Sequence, residues 1–369
     1  MSIQVPFVDL KAQYQQVKAE VKKAIDQVLE TCQFIQGEFT EQFENNFCKA
    51  HGAPFGIGCA NGTSAITAAL RAMNIGPGDE VITVNNSFFA TAEGIAEVGA
   101  KIVLVDCKHS TYGIDPELVE QAVNEKTKAI IPVHLYGNSC EMDKIVNIAQ
   151  KYNLKIMEDC AQAHLAKFKD QAVGTFGEAG TFSFYPGKNL GAYGDAGFIT
   201  VTNKELDTLV RMHVNHGRID KYEHQFLASN FRMDGIQAAI LDIKLKYLRD
   251  WTNKRIAAAK KYDEKLKNAG FKVLEIEKNG ECVYHLYVVE VSNRDEVSKA
   301  LKEVGVSTGV HYPTPLHMQP ALKFLGHKEK DFPVSYESAG RILSLPIFPE
   351  ITDQQINHVM ENFLKVAKR

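Results

Sequence analysis

The chain has 369 residues, 45% apolar and 24% charged, an ordinary globular composition that excludes a disordered or fibrous protein and leaves room for two domains. Its 42 basic and 45 acidic residues give a formal charge of −3 with no block of like charge, so the clustered basic footprint of a nucleic-acid binder is missing. No apolar run is long enough to span a bilayer, the first residues lack the apolar stretch of a signal peptide, and the seven scattered cysteines contain no C-x-x-C pair; a cytoplasmic protein with no membrane partner is expected.

Phe39, Phe43 and Phe47 recur every four residues and predict one apolar helix face ahead of Gly52. Short apolar runs follow at Phe55–Cys59, Glu80–Val84, 101–106, 129–134, 155–158, 181–185 and Gly197–Val201, each predicted as a strand. Helical patterns lie between the early ones, at 63–73, 91–98, 116–123 and Met142–Tyr152. Asp115-Pro116 opens one of these helices, and Gly76-Pro77-Gly78 follows another. Continuous apolar strands alternating with helices predict an α/β fold with a mostly parallel sheet covered on both faces. From about Asp250 the pattern changes to a charged helix at 254–267, a strand at 283–291, and helices at 294–304 and 352–368. Two domains are expected, a large α/β domain over 1–250 and a smaller α+β domain over 251–369, joined through a long helical region at 234–269.

Four segments near predicted strand ends, where open α/β sheets bind their ligands, are dense in polar residues and glycine. In Asn61-Gly62-Thr63-Ser64, backbone N–H groups and hydroxyls at a helix start suit a phosphate, although Thr63 or Ser64 would cap the helix in any case. Gly56 and Gly58 begin a dinucleotide fingerprint, but Asn61 stands where its third glycine belongs. In Glu158-Asp159-Cys160-Ala161-Gln162, a carboxylate at a strand end could hold a protonated ring nitrogen; a helix cap or a surface acidic pair is the plainer alternative. In Ser183-Phe184-Tyr185-Pro186-Gly187-Lys188-Asn189-Leu190-Gly191, a lysine sits in a glycine-rich, uncharged loop between apolar strands. Loss of solvation lowers such a lysine's pKa, and its neutral amine can form a Schiff base. The fourth segment, Asn230-Phe231-Arg232-Met233-Asp234, is a polar turn entering the long helix.

Together these motifs resemble the sugar-nucleotide aminotransferases of the DegT/DnrJ/EryC1/StrS family, within the fold type I enzymes of pyridoxal 5′-phosphate (PLP). The resemblance runs from Phe7-Val8-Asp9-Leu10 to Ser344-Leu345-Pro346, with Asn-Gly-Thr, Glu-Asp-x-Ala-Gln, Ser-Phe-x-Pro-x-Lys and Asn-x-Arg-Met in family order. It implies that Lys188 carries PLP as a Schiff base and that Asp159 pairs with the pyridine nitrogen. Gln162 then lies near the phenolic oxygen, Phe88 stacks on the ring, and Gly62, Thr63, Ser64 and Ser183 cradle the phosphate. Asn230 matches an asparagine that reaches the phosphate of the neighbouring subunit, which implies a homodimer with shared sites. The implied partners are L-glutamate and a nucleotide-linked keto-sugar.

Family members acting at sugar C4 carry a histidine before the proline of the lysine loop and Thr-x-Gly-Glu-Gly after it. This chain has Tyr185-Pro186 and Gly194-Asp195-Ala196-Gly197, similar to members acting at C3. The stretch His311-Tyr312-Pro313-Thr314-Pro315-Leu316-His317 also resembles the substrate loop of that group, so Tyr185, His311, Tyr312 and His317 are expected to contact substrate. The expected acceptor is a dTDP-linked 3-keto-6-deoxyhexose, with a UDP-linked 3-keto N-acetyl sugar or uronate next. A 4-aminotransferase and a PLP-binding regulator without transaminase activity are the alternatives. His311 with His317, and His213 with His216, lack an established metal spacing with a third ligand, so no metal is expected.

Overall fold

The computed structural model describes residues 3–368. The first helix, α1 (Leu10–Thr31), starts where the Asp9 side chain accepts the Ala12 N–H, and it buries Val17, Val21, Ala24 and Val28 along one stripe. Helix α2 (Glu38–His51) ends at Gly52, whose φ of 67° is the left-handed turn that favours glycine. Phe43 and Phe47 of α2 are fully buried, whereas Phe39 packs only partly buried against the α1 side.

All seven strands expected from the apolar runs form, and they build one sheet: β1 (Phe55–Cys59), β2 (Glu80–Val84), β3 (Lys101–Val105), β4 (Thr127–Ile131), β5 (Lys155–Asp159), β6 (Ala179–Ser183) and β7 (Gly197–Val201). Their order is β1-β7-β6-β5-β4-β2-β3. Four pairings are parallel; β7 runs antiparallel to both its neighbours, β1 and β6. The helices α3 (Gly62–Ala72), α4 (Phe89–Glu97), α5 (Pro116–Ala122), α6 (Met142–Tyr152) and α7 (Lys204–His213) follow β1, β2, β3, β4 and β7 and cover the two faces. At α5 the Asp115 side chain accepts the Glu117 N–H and Pro116 occupies the first turn, as the dipeptide predicted.

The long helix α8 (Gly235–Asn268) runs unbroken for 34 residues, about 50 Å at 1.5 Å per residue. Its first half packs on α1 and α2, and its second half sends Ala258, Ala259, Tyr262 and Leu266 into a separate C-terminal core. That core also holds the strand pair β8 (Tyr287–Glu290) and β9 (Ile342–Leu345), the helix Arg294–Glu303 and the helix Asp353–Val366. Val5 joins it from the far end of the sequence, bridging Val306 and bonding to Gly305 and Ser307. We propose the domain boundary at residues 250 and 251, inside α8, because the two halves of that helix serve different cores. Among the described residues, no helix is long and apolar enough to cross a membrane.

Candidate active site

A cavity of about 870 Å³ opens where β1, β5 and β6 end. Gly62, Thr63, Ser64 and Ser183 line one end of it. Asp159, Gln162, Lys188 and Phe88 line its centre, and Tyr185, His311 and Tyr312 line the side toward the C-terminal core.

At the first end, α3 presents its N-terminus. The cap is Asn61, and not Thr63 or Ser64 as expected: its side chain accepts the Ser64 N–H at 2.9 Å, while Ser64 Oγ accepts the Asn61 N–H at 3.0 Å. The N–H groups of Gly62 and Thr63 have no preceding helical carbonyl and are free to take an anion. A Cβ on Gly62 would lie 2.9 Å from Ser183 Cβ, so glycine is what lets the serine and the helix end converge.

Asp159 ends β5 nearly buried. Its Oδ2 accepts from Thr91 Oγ1 at 2.8 Å and its Oδ1 from the Ala161 N–H at 3.1 Å. Thr91 in turn lies 2.7 Å from Ser87 Oγ, so a short hydroxyl chain orients the carboxylate. The Gln162 carbonyl accepts the Tyr136 N–H at 2.7 Å, which fixes the amide and aims its NH₂ at the Tyr312 hydroxyl, 3.1 Å away.

Lys188 sits in a loop that doubles back on itself. Its N–H donates to the Tyr185 carbonyl and the Ala192 N–H to the Phe184 carbonyl, both at 2.8 Å. A Cβ on Gly191 would meet the Pro186 carbonyl at 2.3 Å, so the fold closes there only without a side chain. Asn189 anchors the loop to the other wall, donating to the Val283 carbonyl at 3.0 Å and facing His285 Nδ1 at 3.2 Å. Burial pushes the Lys188 amine down to about 8, against the opposing charge of Asp159. A lysine in this setting gives up its proton more readily than a solvated one and so offers more of the neutral, nucleophilic amine.

Two nominated residues stand outside the cavity. His317, expected to contact substrate, is buried in a 3-10 turn (Leu316–Met318), its ring packed on Phe332 and its backbone N–H and Nδ1 tied to Asn85 at 2.9 and 3.1 Å. The turn after Pro315 points its side chain back into the protein, a rotation that residue spacing does not report. Asn230 is exposed on the segment before α8 and bridged to Asn215, and it does not line its own chain's cavity, although its neighbour Phe231 does.

The surface-pair alternative for Glu158 does not hold. Glu158 is fully buried, on the opposite face of β5 from Asp159. Its carboxylate accepts N–H groups from Gly174 at 2.7 Å, Phe176 at 2.7 Å and Gly177 at 3.2 Å. His134 Nε2 lies 3.1 Å away, and the Cys140 N–H donating to His134 Nδ1 fixes the ring proton on Nε2, facing the carboxylate. With Cys160, these two form a buried trio of potential metal ligands whose atoms lie within 4.8 Å of one another. Hydrogen bonds already occupy the carboxylate, so the trio reads as a buried polar network. Thr91 and Ser87 had no sequence signal beyond proximity to the motifs, and Glu158 stood inside a motif with no role assigned to it.

The sequence of the DegT/DnrJ/EryC1/StrS aminotransferase family matches this chain over residues 15–364. The chain belongs to that family. It is 45% identical to the pleiotropic regulatory protein of Geobacillus stearothermophilus, over 97% of both chains. It is 42% identical to the dTDP-3-amino-3,6-dideoxy-alpha-D-galactopyranose transaminase of Aneurinibacillus thermoaerophilus, over 97% of this chain and 98% of that one. Its fold superposes with a TM-score of 0.96 on Streptomyces venezuelae DesV in complex with a ketimine intermediate, at 37% identity over 98% of each chain. As a member of this family the chain is a PLP-dependent sugar-nucleotide aminotransferase with the fold of those enzymes.

The residues present fit PLP. The phosphate would be held by the free N–H groups of α3 and by Ser183, in space that the missing Gly62 side chain leaves open. Asp159 would hold the pyridine nitrogen, Phe88 is a 56% exposed ring available to stack, and Lys188 supplies the amine. The amine's position predicts a pH dependence with a definite sign. Because the Lys188 pKa is lowered to about 8, capture of PLP by the apoprotein should quicken as pH rises through that value and level off above it. Stopped-flow absorbance across about pH 6 to 10 measures this; a flat profile would contradict the assignment.

Proposed function

We propose that this chain moves the amino group of L-glutamate to C3 of a nucleotide-linked 3-keto hexose, a dTDP-linked 3-keto-6-deoxyhexose first among the candidates, for polysaccharide or glycoconjugate synthesis. The lysine loop carries this reading. It has Tyr185 before the proline, with the side chain 61% exposed at the cavity, and Gly194-Asp195-Ala196-Gly197 beyond it, the pattern of members acting at C3. His311 and Tyr312 stand across the cavity, His311 stacked on Phe7 at 5.6 Å and Tyr312 beside Phe88 at 5.5 Å, as walls for a sugar ring. The likeness to a dTDP-amino-sugar transaminase supports the same choice.

Bound PLP supplies an electron sink. The protein's part is proton transfer and orientation. The Lys188 amine takes the proton from the α-carbon of glutamate, which leaves as 2-oxoglutarate, and in the second half returns a proton to C3 of the sugar. Asp159, held by Thr91 and the Ala161 N–H, keeps a proton on the pyridine nitrogen. Gln162, clamped by the Tyr136 N–H, orients the phenolic side.

The reading includes a homodimer in which Asn230 serves the neighbouring subunit's phosphate site. Ile219, Tyr222 and Leu227, on the same segment, are 67%, 82% and 100% exposed, an apolar surface suited to cover by a second copy.

The test is a panel of 3-keto and 4-keto nucleotide sugars, dTDP- and UDP-linked, offered to the enzyme after loading with glutamate. Amino-sugar from the 3-keto members alone supports the proposal; turnover of the 4-keto members alone replaces it with a 4-aminotransferase. The likeness to a pleiotropic regulatory protein favours a second reading, a PLP-binding regulator. Glutamate that leaves the absorbance of bound PLP near ~420 nm unchanged would establish that reading and sink the first.

A further inference from the structure

The helix α8 carries a charge that the chemistry above does not use. Lys244 is 1% exposed. Its ammonium donates to the Gly191 carbonyl and lies 5.0 Å from the centre of the Tyr193 ring. Burial pushes its amine down to about 7, and Glu350 is the charge that opposes this. Taking a cation out of water is costly, so a buried lysine persists where its contacts offset that cost or serve another end. Both contacts of Lys244 fall on the same object, the downstream arm of the Lys188 loop.

Leu190 and Ala192 of that arm are buried in the core, and on its outer side the Tyr193 ring also meets Tyr14 edge-on at 6.0 Å. Gln237, one face of α8 further up, accepts the Tyr193 N–H at 2.9 Å. The inner side is held by Asn189. Because Gly191 stands directly against the Pro186 carbonyl, a shift of Gly191 displaces the segment between them, and Lys188 lies in that segment. Side-chain anchors at both ends of a doubled-back loop are what hold a reactive group to a fixed direction.

We propose that Lys244 is a positioning residue for Lys188, gripping the Gly191 carbonyl and the Tyr193 ring so that the Lys188 amine is presented to cofactor and donor in one geometry. The proposal rests on Lys188 being the cofactor-bearing lysine. It predicts a division of effects that a merely structural lysine would not give. In Lys244→Met an unbranched apolar chain replaces the buried cation, which relieves desolvation and leaves the melting temperature unchanged or raised. The loop itself loses the grip on its Gly191 carbonyl and keeps the Gln237 bond to Tyr193.

The experiment uses PLP-loaded wild type, Lys244→Met, Tyr193→Phe and Tyr193→Leu. Amide hydrogen exchange is followed by mass spectrometry, alongside the pH midpoint of the ~420 nm band and the melting temperature. For Lys244→Met, exchange over residues 186–194 should quicken by about tenfold while the rest of the chain is unchanged. The midpoint of the band should move by about half a pH unit or more. Tyr193→Phe keeps the ring and should match wild type; Tyr193→Leu loses it and should give a smaller change of the same kind. Wild-type exchange and midpoint in Lys244→Met overturn the proposal and leave the Lys188 assignment standing. A lowered melting temperature with exchange quickened throughout the chain overturns it in favour of a structural role. A wild type that shows no band with PLP overturns both.

Discussion

Lys188→Ala is expected to lower transamination by at least about 10²–10⁴-fold, the range for loss of a positioned general base, and by more if the amine's covalent role is also limiting. The loop should survive the change, because the bonds that shape it come from the backbone of residues 184–192 and from Asn189. The variant should therefore melt as wild type does and still retain PLP through the α3 N-terminus and Ser183, with the ~420 nm absorbance displaced toward that of the free aldehyde. Small primary amines added to the buffer should restore part of the rate, more so for the more basic ones, because they replace the missing base. Lys188→Arg, which keeps a charge but no usable neutral amine, should be as inactive as the alanine variant. Retention of more than about a tenth of the wild-type rate by either variant would show that another group moves the proton.

Glu158→Gln should be the most destabilising conservative change near the site, by about 3–5 kcal/mol. The carboxylate gathers three backbone N–H groups and the His134 ring at a fully buried position. An amide of the same shape has one acceptor oxygen and must turn an NH₂ toward donors, leaving N–H groups unpaired in the interior. The denaturant midpoint reads the loss. Asp159 keeps its own contacts with Thr91 and Ala161, so the folded fraction at low temperature should turn over at close to the wild-type rate. A loss below about 1 kcal/mol would show that the network is slack, and a collapse of turnover in well-folded protein would give Glu158 a role in catalysis.

The sheet was legible because each strand is a short apolar run bounded by a helix or a turn, a signal that local sequence carries in full. The lysine loop was legible for the opposite reason: one charge among glycines and aromatics has no plain explanation on a surface. What escaped was set by contacts distant in sequence. Lys244 lies in a helix full of lysines, and only the arrival of Gly191 and Tyr193, some fifty residues earlier, distinguishes it from its solvated neighbours. Glu158 and Asp159 look alike on paper, yet strand alternation sends one into the cavity and the other into the turn 174–177. Asn61 belongs to the phosphate loop and is also the cap, which only the reciprocal hydrogen bonds between Asn61 and Ser64 reveal. Spacing groups His317 with His311, but His317 sits inside a 3-10 turn that packs its ring on Phe332, while the His311 ring stacks on Phe7.

The stitch between Val5 and Val306 has a consequence for how the protein is made. The C-terminal core is completed by Val5, which leaves the ribosome 306 minus 5, or 301, residues ahead of its partner Val306. At translation rates of roughly 5–20 residues per second, that is a wait of about 15–60 s. During it the large sheet can close on its own helices, while the segment ahead of α1 must stay unpaired. Synthesis therefore orders the folding of this chain: the half that would hold the cofactor can assemble on the ribosome, and the C-terminal core is sealed only when Val306 arrives to pair with Val5.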